Sequence, residues 1–270
     1  MARISNLFSR ETITAGEGYF DYELQIGRSV VVPWLARRID LEGLAVGDFG
    51  CHQGGVLQAL REAGVGSGIG LELDAAHLEA SPFEQDDRFL LEVRDILTIE
   101  PGEFDFGLVV MRDVLEHIPD FEGALRSVAG SLKPCGLAFF SFPPYYSPFG
   151  GHQQLASGWA RTAPFLHLLP ERFFFRLVAV ESNAYMTAED SVSDMRSVRE
   201  TRLTIGRALA AASSAGLVLV DSEFFLLRPD YEIRYGLRPV GVGPIARMRR
   251  LREIVVMGAH LLFRRGLSSF

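Results

Sequence analysis

Between Leu44 and Phe142 short apolar runs alternate with segments of helical spacing, and no other feature constrains the fold as tightly. The apolar runs are Leu44–Phe49, Gly68–Leu73, Phe89–Val93, Phe104–Met111 and Leu137–Phe142. The first is followed by a glycine-rich turn and by a helical stretch from Val56 to Ala63 that stops at Gly64. Asp74 is placed to cap the helix after the second. A helix over 121–132 ends in Lys133-Pro134-Cys135-Gly136, a stop signal. Leu108-Val109-Val110-Met111 has no polar alternation, which suits a strand covered on both faces. Five such alternations predict a parallel sheet with right-handed crossovers, with the ligand at the carboxyl ends of its strands.

The flanks complete this scheme. Residues 1–43 read as a helical segment, because Val30, Val31, Trp34, Leu35 and Ile39 recur at helical spacing. The core occupies 44–144. Over 145–198 the rhythm breaks into clustered aromatics, among them Tyr145, Tyr146, Phe149, Trp159, Phe165, Phe173, Phe174, Phe175 and Tyr185, with no clean strand. This stretch is expected to be an inserted substrate cap, or else the core of a helical subdomain. Residues 199–270 complete the core with a helix near 200–215, a strand over Leu217–Leu227 and a last apolar run at Ile254–Phe263. The expected fold is a doubly wound, mostly parallel, seven-stranded α/β sheet.

A formal net charge of −7 argues against broad nucleic-acid binding. The arginines at 247, 249, 250 and 252 read as a basic helix before a last strand. Two cysteines, Cys51 and Cys135, offer neither a disulfide framework nor zinc spacing, and no histidine cluster has metal-ligand spacing, so no metal is expected. No uncharged apolar run reaches the roughly 18–20 residues of a membrane span, and a cytoplasmic protein is expected.

The chemistry begins at Asp48-Phe49-Gly50-Cys51-His52-Gln53-Gly54. A dinucleotide fingerprint needs glycine where this turn has His52, because backbone must approach a pyrophosphate there. The only lysine is Lys133, so a Tyr-x-x-x-Lys pair is also missing. Both facts disfavour a nicotinamide oxidoreductase. Glu72, ending the second strand, can instead accept both hydroxyls of a ribose, and Asp95, ending the third, can accept from an adenine amino group. A glycine turn with two strand-end carboxylates describes a nucleoside site, although either acid could simply cap a helix.

With these residues in view, 44–143 resembles the class I S-adenosylmethionine-dependent methyltransferases. The matching segments are Val46–Cys51, Gly70–Leu73, Arg94–Leu97 and Phe104–Phe106; the most specific are Asp113-Val114-Leu115-Glu116-His117-Ile118-Pro119-Asp120 and Leu132–Gly136. The resemblance implies that Gly50, Gly54 and Glu72 contact the methionine and ribose parts of S-adenosyl-L-methionine, with Asp48, Cys51, His52 and Leu73 in the same set. It implies that Asp95 and Ile96 hold the adenine, and that Arg112 and Asp113 sit by the methyl group. The chain departs from the family pattern at His52 and Cys135, where glycines are usual.

On the acceptor side His152 follows the fifth strand on a Gly150-Gly151 loop and is the first candidate for contacting the acceptor and taking its proton. Asp113 and His117 are the rivals. His167 reads as core or cavity wall; His77 and His260 carry no signal. The expectation is methyl transfer to a small or amphipathic molecule, with oxygen favoured. The alternative is a catalytically silent cofactor-binding partner or regulator, which His52 keeps open.

Overall fold

The computed structural model describes residues 18–181 and 187–266; residues 1–17 of the N-terminal segment, and Tyr185 among the aromatics, lie outside them. Eight strands form one sheet. β1 (Ala45–Phe49), β2 (Ser67–Glu72), β3 (Phe89–Val93), β4 (Phe106–Arg112), β5 (Leu132–Phe142), β6 (Leu217–Leu227), β7 (Val240–Gly241) and β8 (Gly258–Arg265) lie in the order β3-β2-β1-β4-β5-β8-β6-β7. The first five pair in parallel. β8 runs antiparallel between β5 and β6. Seven strands were expected. The eighth, β7, is a two-residue edge strand antiparallel to β6, too short to leave a periodic signal.

The parallel strands are joined by helices, as the alternation requires. α3 (Gly55–Glu62) links β1 to β2, α4 (Ala75–Glu79) follows β2, and α5 (Phe121–Ser131) links β4 to β5. Asp74 caps α4 by accepting from the Ala76 N–H, and Asp120 caps α5 by accepting from that of Gly123. α8 (Ile205–Ser214) precedes β6, and the basic helix α10 (Arg249–Val255) precedes β8. One layer of core packs α5 and α8 against the sheet, with Val109, Met111, Phe140, Ala208 and Phe263 at its centre. The opposite layer packs the N-terminal helices and α3 against Val46, Leu108, Val110 and Phe139.

The N-terminal segment comprises α1 (Tyr19–Ile26), a π-helical turn over Gly27–Val31 and α2 (Val32–Ala36). It crosses α3 closely: a Cβ at Gly27 would stand 2.5 Å from the Ala59 Cβ, and one at Gly55 2.6 Å from the Phe20 carbonyl oxygen. α1 is thereby fixed over the turn between β1 and α3.

Between β5 and α8 lie short 3-10 turns, α6 (Glu171–Leu177) and α7 (Ala188–Thr201). The described part of this insertion contains no strand and has its own small core of Ala156, Ala160, Leu166, Phe174, Val178 and Met195. α7 opens with a capping box between Thr187 and Asp190. Among the described residues, no helix is long and apolar enough to cross a membrane.

Candidate functional site

The carboxyl ends of β1, β2 and β4 converge under α1. After β1 the chain turns through Gly50 (φ +75°), His52 (φ +49°) and Gly54 (φ +84°) into α3. A Cβ at Gly50 would lie 2.4 Å from Val114, so only glycine meets both the left-handed backbone and that contact. His52 adopts the same region with a side chain, which is uncommon outside glycine although histidine, like asparagine and aspartate, takes it more readily than most residues. Its ring lies between two others, with centroids 3.7 Å from His77 and 4.1 Å from Tyr19. Burial, reinforced by the neighbouring His77, pushes the imidazole down to about 4, so it is neutral. His77, which the sequence did not flag, thus belongs to this site. Its signal was its place five residues after Glu72, on the first turn after β2.

Glu72 ends β2 and organises the turn. One carboxylate oxygen accepts from the His52 N–H (2.8 Å); the other accepts from the N–H groups of Leu73 (2.9 Å) and Asp74 (3.1 Å). Burial works against its ionisation, but the His77 ring and these N–H groups outweigh it and hold the carboxyl below its usual range. It is an anion with acceptor capacity to spare, because a carboxylate offers about four lone-pair sites. Leu73 beside it is 70% exposed. Asp95 stands just beyond β3 and caps the 3-10 turn Ile96–Thr98 by accepting from the Leu97 N–H at 2.9 Å; Ile96 is buried against the main core. The capping role weighed from sequence is thus the one seen for Asp95, with its second oxygen free of that bond.

Asp48, on β1, is buried with Oδ2 unpartnered, and burial together with the Glu23 charge pushes its carboxyl up to about 8. Cys51 is a buried free thiol. The Asp48 shift has a consequence for stability. Its folded value lies above the unfolded one, so the folded state retains a proton that the unfolded state has lost. Stability therefore falls by up to about 1.4 kcal/mol per pH unit as pH rises from about 4 to 8. Asp48→Asn should remove this slope. Urea unfolding at pH 5 and pH 8 should show a gain over the parent that is larger at pH 8; a gain independent of pH would contradict it.

Arg112 and Asp113, at the end of β4, lie in a buried chain of charges. Arg112 donates to Glu23 of α1 (2.9 Å) and to Asp113 (2.8 Å); Arg228, beyond β6, donates to Asp113 and to Asp230 (2.8 Å). Burial would raise the Asp113 carboxyl, but Arg228 and Arg112 hold it below the ordinary range. Gly258 makes room for this chain, since a Cβ there would lie 2.9 Å from the Arg228 stem.

Glu116, His117 and His152 form a second group on the same rim. His117 and Glu116 come from the 3-10 turn after β4, and His152 (φ +57°) from the loop after β5. Glu116 is 2% exposed, and among the described residues neither of its carboxylate oxygens has a hydrogen-bond partner. Its Oε1 lies 4.0 Å from His117 Nε2 and 3.9 Å from His152 Nε2. Burial and the Asp113 charge raise the Glu116 carboxyl well above its usual range, while burial lowers both imidazoles, His152 further through His117. Sequence reasoning quoted Glu116 but gave it no role; its signal was a charge inside an otherwise apolar Val-Leu-x-x-Ile turn. The expectation of no metal rested on spacing along the chain, whereas the fold closes a gap of 35 residues. His167 is core as expected, with Nε2 2.7 Å from the Tyr145 carbonyl oxygen. His260 is buried among Trp34, Phe139 and Phe225.

These elements fit an adenosyl cofactor: a left-handed glycine turn, an ionised carboxylate with spare lone pairs at the end of β2, and a strand-end acid after β3. A family profile described as "Methyltransferase domain" matches residues 33–178. A ubiquinone biosynthesis O-methyltransferase of Pseudomonas fluorescens is 32% identical over 217 residues, which cover 76% of this chain and 81% of that protein. One of Thiobacillus denitrificans is 34% identical over 115 residues, 40% of this chain and 48% of the other. The first curated relatives are thus matched over about half their length. Among solved structures, a putative S-adenosylmethionine dependent methyltransferase of Listeria monocytogenes superposes with a TM-score of 0.53 at 16% identity, covering 89% of this chain and 99% of the other. The magnesium protoporphyrin IX methyltransferase of Synechocystis, with bound SAH, has the same score at 12% identity, covering 96% and 91%. Those two likenesses speak for the fold, and the sequence matches for the family. With its glycine turn, strand-end acids and 3-2-1-4-5 parallel order, the chain belongs to the methyltransferase-domain family, the class I S-adenosylmethionine-dependent methyltransferases.

Proposed function

We propose that the protein transfers a methyl group from S-adenosyl-L-methionine to an oxygen of a small or amphipathic acceptor. The observation that carries the acceptor side is the convergence of Glu116, His117 and His152 on the rim formed by the ends of β4 and β5. The preference for oxygen draws on the curated relatives, whose printed names describe O-methyltransferases.

The bound cofactor supplies an already activated methyl electrophile. The protein's tasks are to bind it through Glu72, the Gly50–Gly54 turn, Asp95 and Ile96, to align the acceptor and to exclude water. His52 and Tyr19 close one wall of that cleft. Asp113 is a poor base, because two guanidiniums, both bonded to its Oδ2, lower its basicity. His152 is the better one. It is neutral, and the Asp113 charge favours the imidazolium that forms when it takes the acceptor's proton. Burial and His117 lower its basicity, so it takes the proton together with methyl transfer and does not ionise the acceptor beforehand. The insertion over 145–198 serves as the acceptor-side cap. Its α7 packs on the turn after β4, where Ser197 Oγ lies 2.8 Å from His117 Nδ1.

His152→Ala should lower turnover by about 100-fold or more while leaving cofactor affinity unchanged. Asp113→Asn and His117→Ala, assayed on the same acceptor, are the comparison. Normal turnover in His152→Ala, with loss in either rival at unchanged cofactor affinity, would show that the base is elsewhere.

A further inference from the structure

Two half-buried histidines meet a buried carboxylate, and among the described residues that carboxylate has no hydrogen-bond partner. An unpaired buried carboxylate is costly, and a native structure keeps one where something satisfies it. Glu116 has both oxygens in that condition. One ligand atom from each of Glu116, His117 and His152 lies within 4.8 Å of the others.

The hydrogen bonding fixes which nitrogen of His117 is available. The Ser197 hydroxyl donates to the Asp194 carbonyl oxygen at 2.9 Å, so its oxygen is left to accept from His117 Nδ1–H. That selects the tautomer whose Nε2 carries a lone pair, and Nε2 is the atom facing Glu116. A ligating histidine is ordinarily held in this way, by a partner on its other nitrogen. His152 presents Nε2 to the same carboxylate oxygen. Its loop is anchored, since a Cβ at Gly151 would collide with the His167 side chain and one at Gly150 with the Pro144 carbonyl oxygen.

We infer that Glu116, His117 and His152 form a binding site for a divalent transition-metal ion of the zinc type. Two imidazole nitrogens and one carboxylate oxygen are a recurrent three-residue set for zinc sites that keep a position open. Ligand atoms around such an ion stand roughly 3.3 Å apart. The observed 3.9–4.0 Å contacts therefore need to contract by about 0.6–0.7 Å, and the two imidazole nitrogens, which lie within 4.8 Å, by up to about 1.5 Å. An ion held there would lie on the rim assigned to the acceptor, where a bound hydroxyl would lose its proton more readily. That catalytic consequence rests on the acceptor-side reading above; the binding of the ion does not. With an ion bound, His152 would be its ligand and not the base, so the two roles are alternatives that the response of turnover to chelation distinguishes.

The test uses the full chain, stripped with a chelator and titrated with Co(II), whose visible absorption reports nitrogen and oxygen ligation. One Co(II) per chain should bind with the intense bands of a four- or five-coordinate site and be displaced by one Zn(II). His152→Ala and the isosteric Glu116→Gln should each weaken binding more than about 10-fold. Cys135→Ser, which removes the exposed thiol, should leave it unchanged. Thermal unfolding of the metal-free variants establishes that they are folded. Absent stoichiometric uptake by the parent chain, or uptake that survives both site variants, would overturn the proposal. Uptake that follows these variants, with turnover indifferent to chelation, would uphold the site and overturn only its catalytic consequence.

Discussion

Glu72→Ala is expected to remove most of the affinity for S-adenosylmethionine and for its demethylated product. The carboxylate is ionised and stands at the carboxyl end of β2, where the sheet's topology places a ligand. Each charge-assisted hydrogen bond is worth about 1.5–3 kcal/mol. Three of its roughly four lone-pair sites are taken by the turn, so losing the one left for the ribose weakens affinity by about 10- to 100-fold. The substitution also releases the N–H groups of His52, Leu73 and Asp74, which Glu72 holds in place, so the turn loosens as well. Glu72→Gln is the milder change: its carbonyl oxygen can still accept from the Leu73 and Asp74 N–H groups, while its amide nitrogen faces the His52 N–H and offers the ribose no acceptor, so affinity should fall by about 10-fold. Isothermal calorimetry on parent and variants decides the matter. Affinity within threefold of the parent in Glu72→Ala would place the cofactor elsewhere, and tight NAD binding would overturn the nucleoside reading of the cleft.

The elements that proved legible are those whose signal is local. β3 and β6 lie where apolar runs place them, and Asp74 caps its helix, because those outcomes depend on residues within a few positions. Gly50 and Gly54 were legible for the same reason: a left-handed turn between strand and helix leaves little choice of residue. What stayed hidden was set by distant partners. Nothing near Glu23 announces that it is buried against Arg112, 89 residues away, nor that Arg228 reaches Asp113 from 115 residues further along the chain. Glu116 was hidden by its neighbourhood, since a charged residue in a short turn ordinarily faces water. His77 sat in an exposed-looking helix start, and only the fold brings its ring onto His52. β7 has two residues and exists because β6 is there to pair with.

The buried charges make the largest stability prediction. Arg112→Met should cost about 3–5 kcal/mol, the range for removing one partner of a buried pair. Arg112 sits between Glu23, 6% exposed, and Asp113, so the variant leaves one buried acid with no cation and the other with Arg228 alone. The sign with pH follows from the two carboxyls. Glu23 is already raised by burial despite Arg112. Without the arginine it rises further, and the penalty for keeping it in the fold grows as pH climbs above about 4.3, its unfolded value. Asp113 is held below its ordinary range by Arg228 and Arg112, so it contributes stability that is present above about pH 3.9 and lost as pH falls. Removing Arg112 shrinks that contribution where it is present. The Asp113 effect is essentially complete by pH 5, so it is the Glu23 effect that makes the defect larger at pH 8 than at pH 5. The double variant Glu23→Gln with Arg112→Met should recover part of the loss, because the amide carries no charge to strand. Urea unfolding of parent, single and double variants at the two pH values measures all of this. A single-variant defect under about 1 kcal/mol, or one that the Glu23→Gln change does not relieve, would mean that the helix over the cofactor turn is held by packing with α3 rather than by this chain of charges.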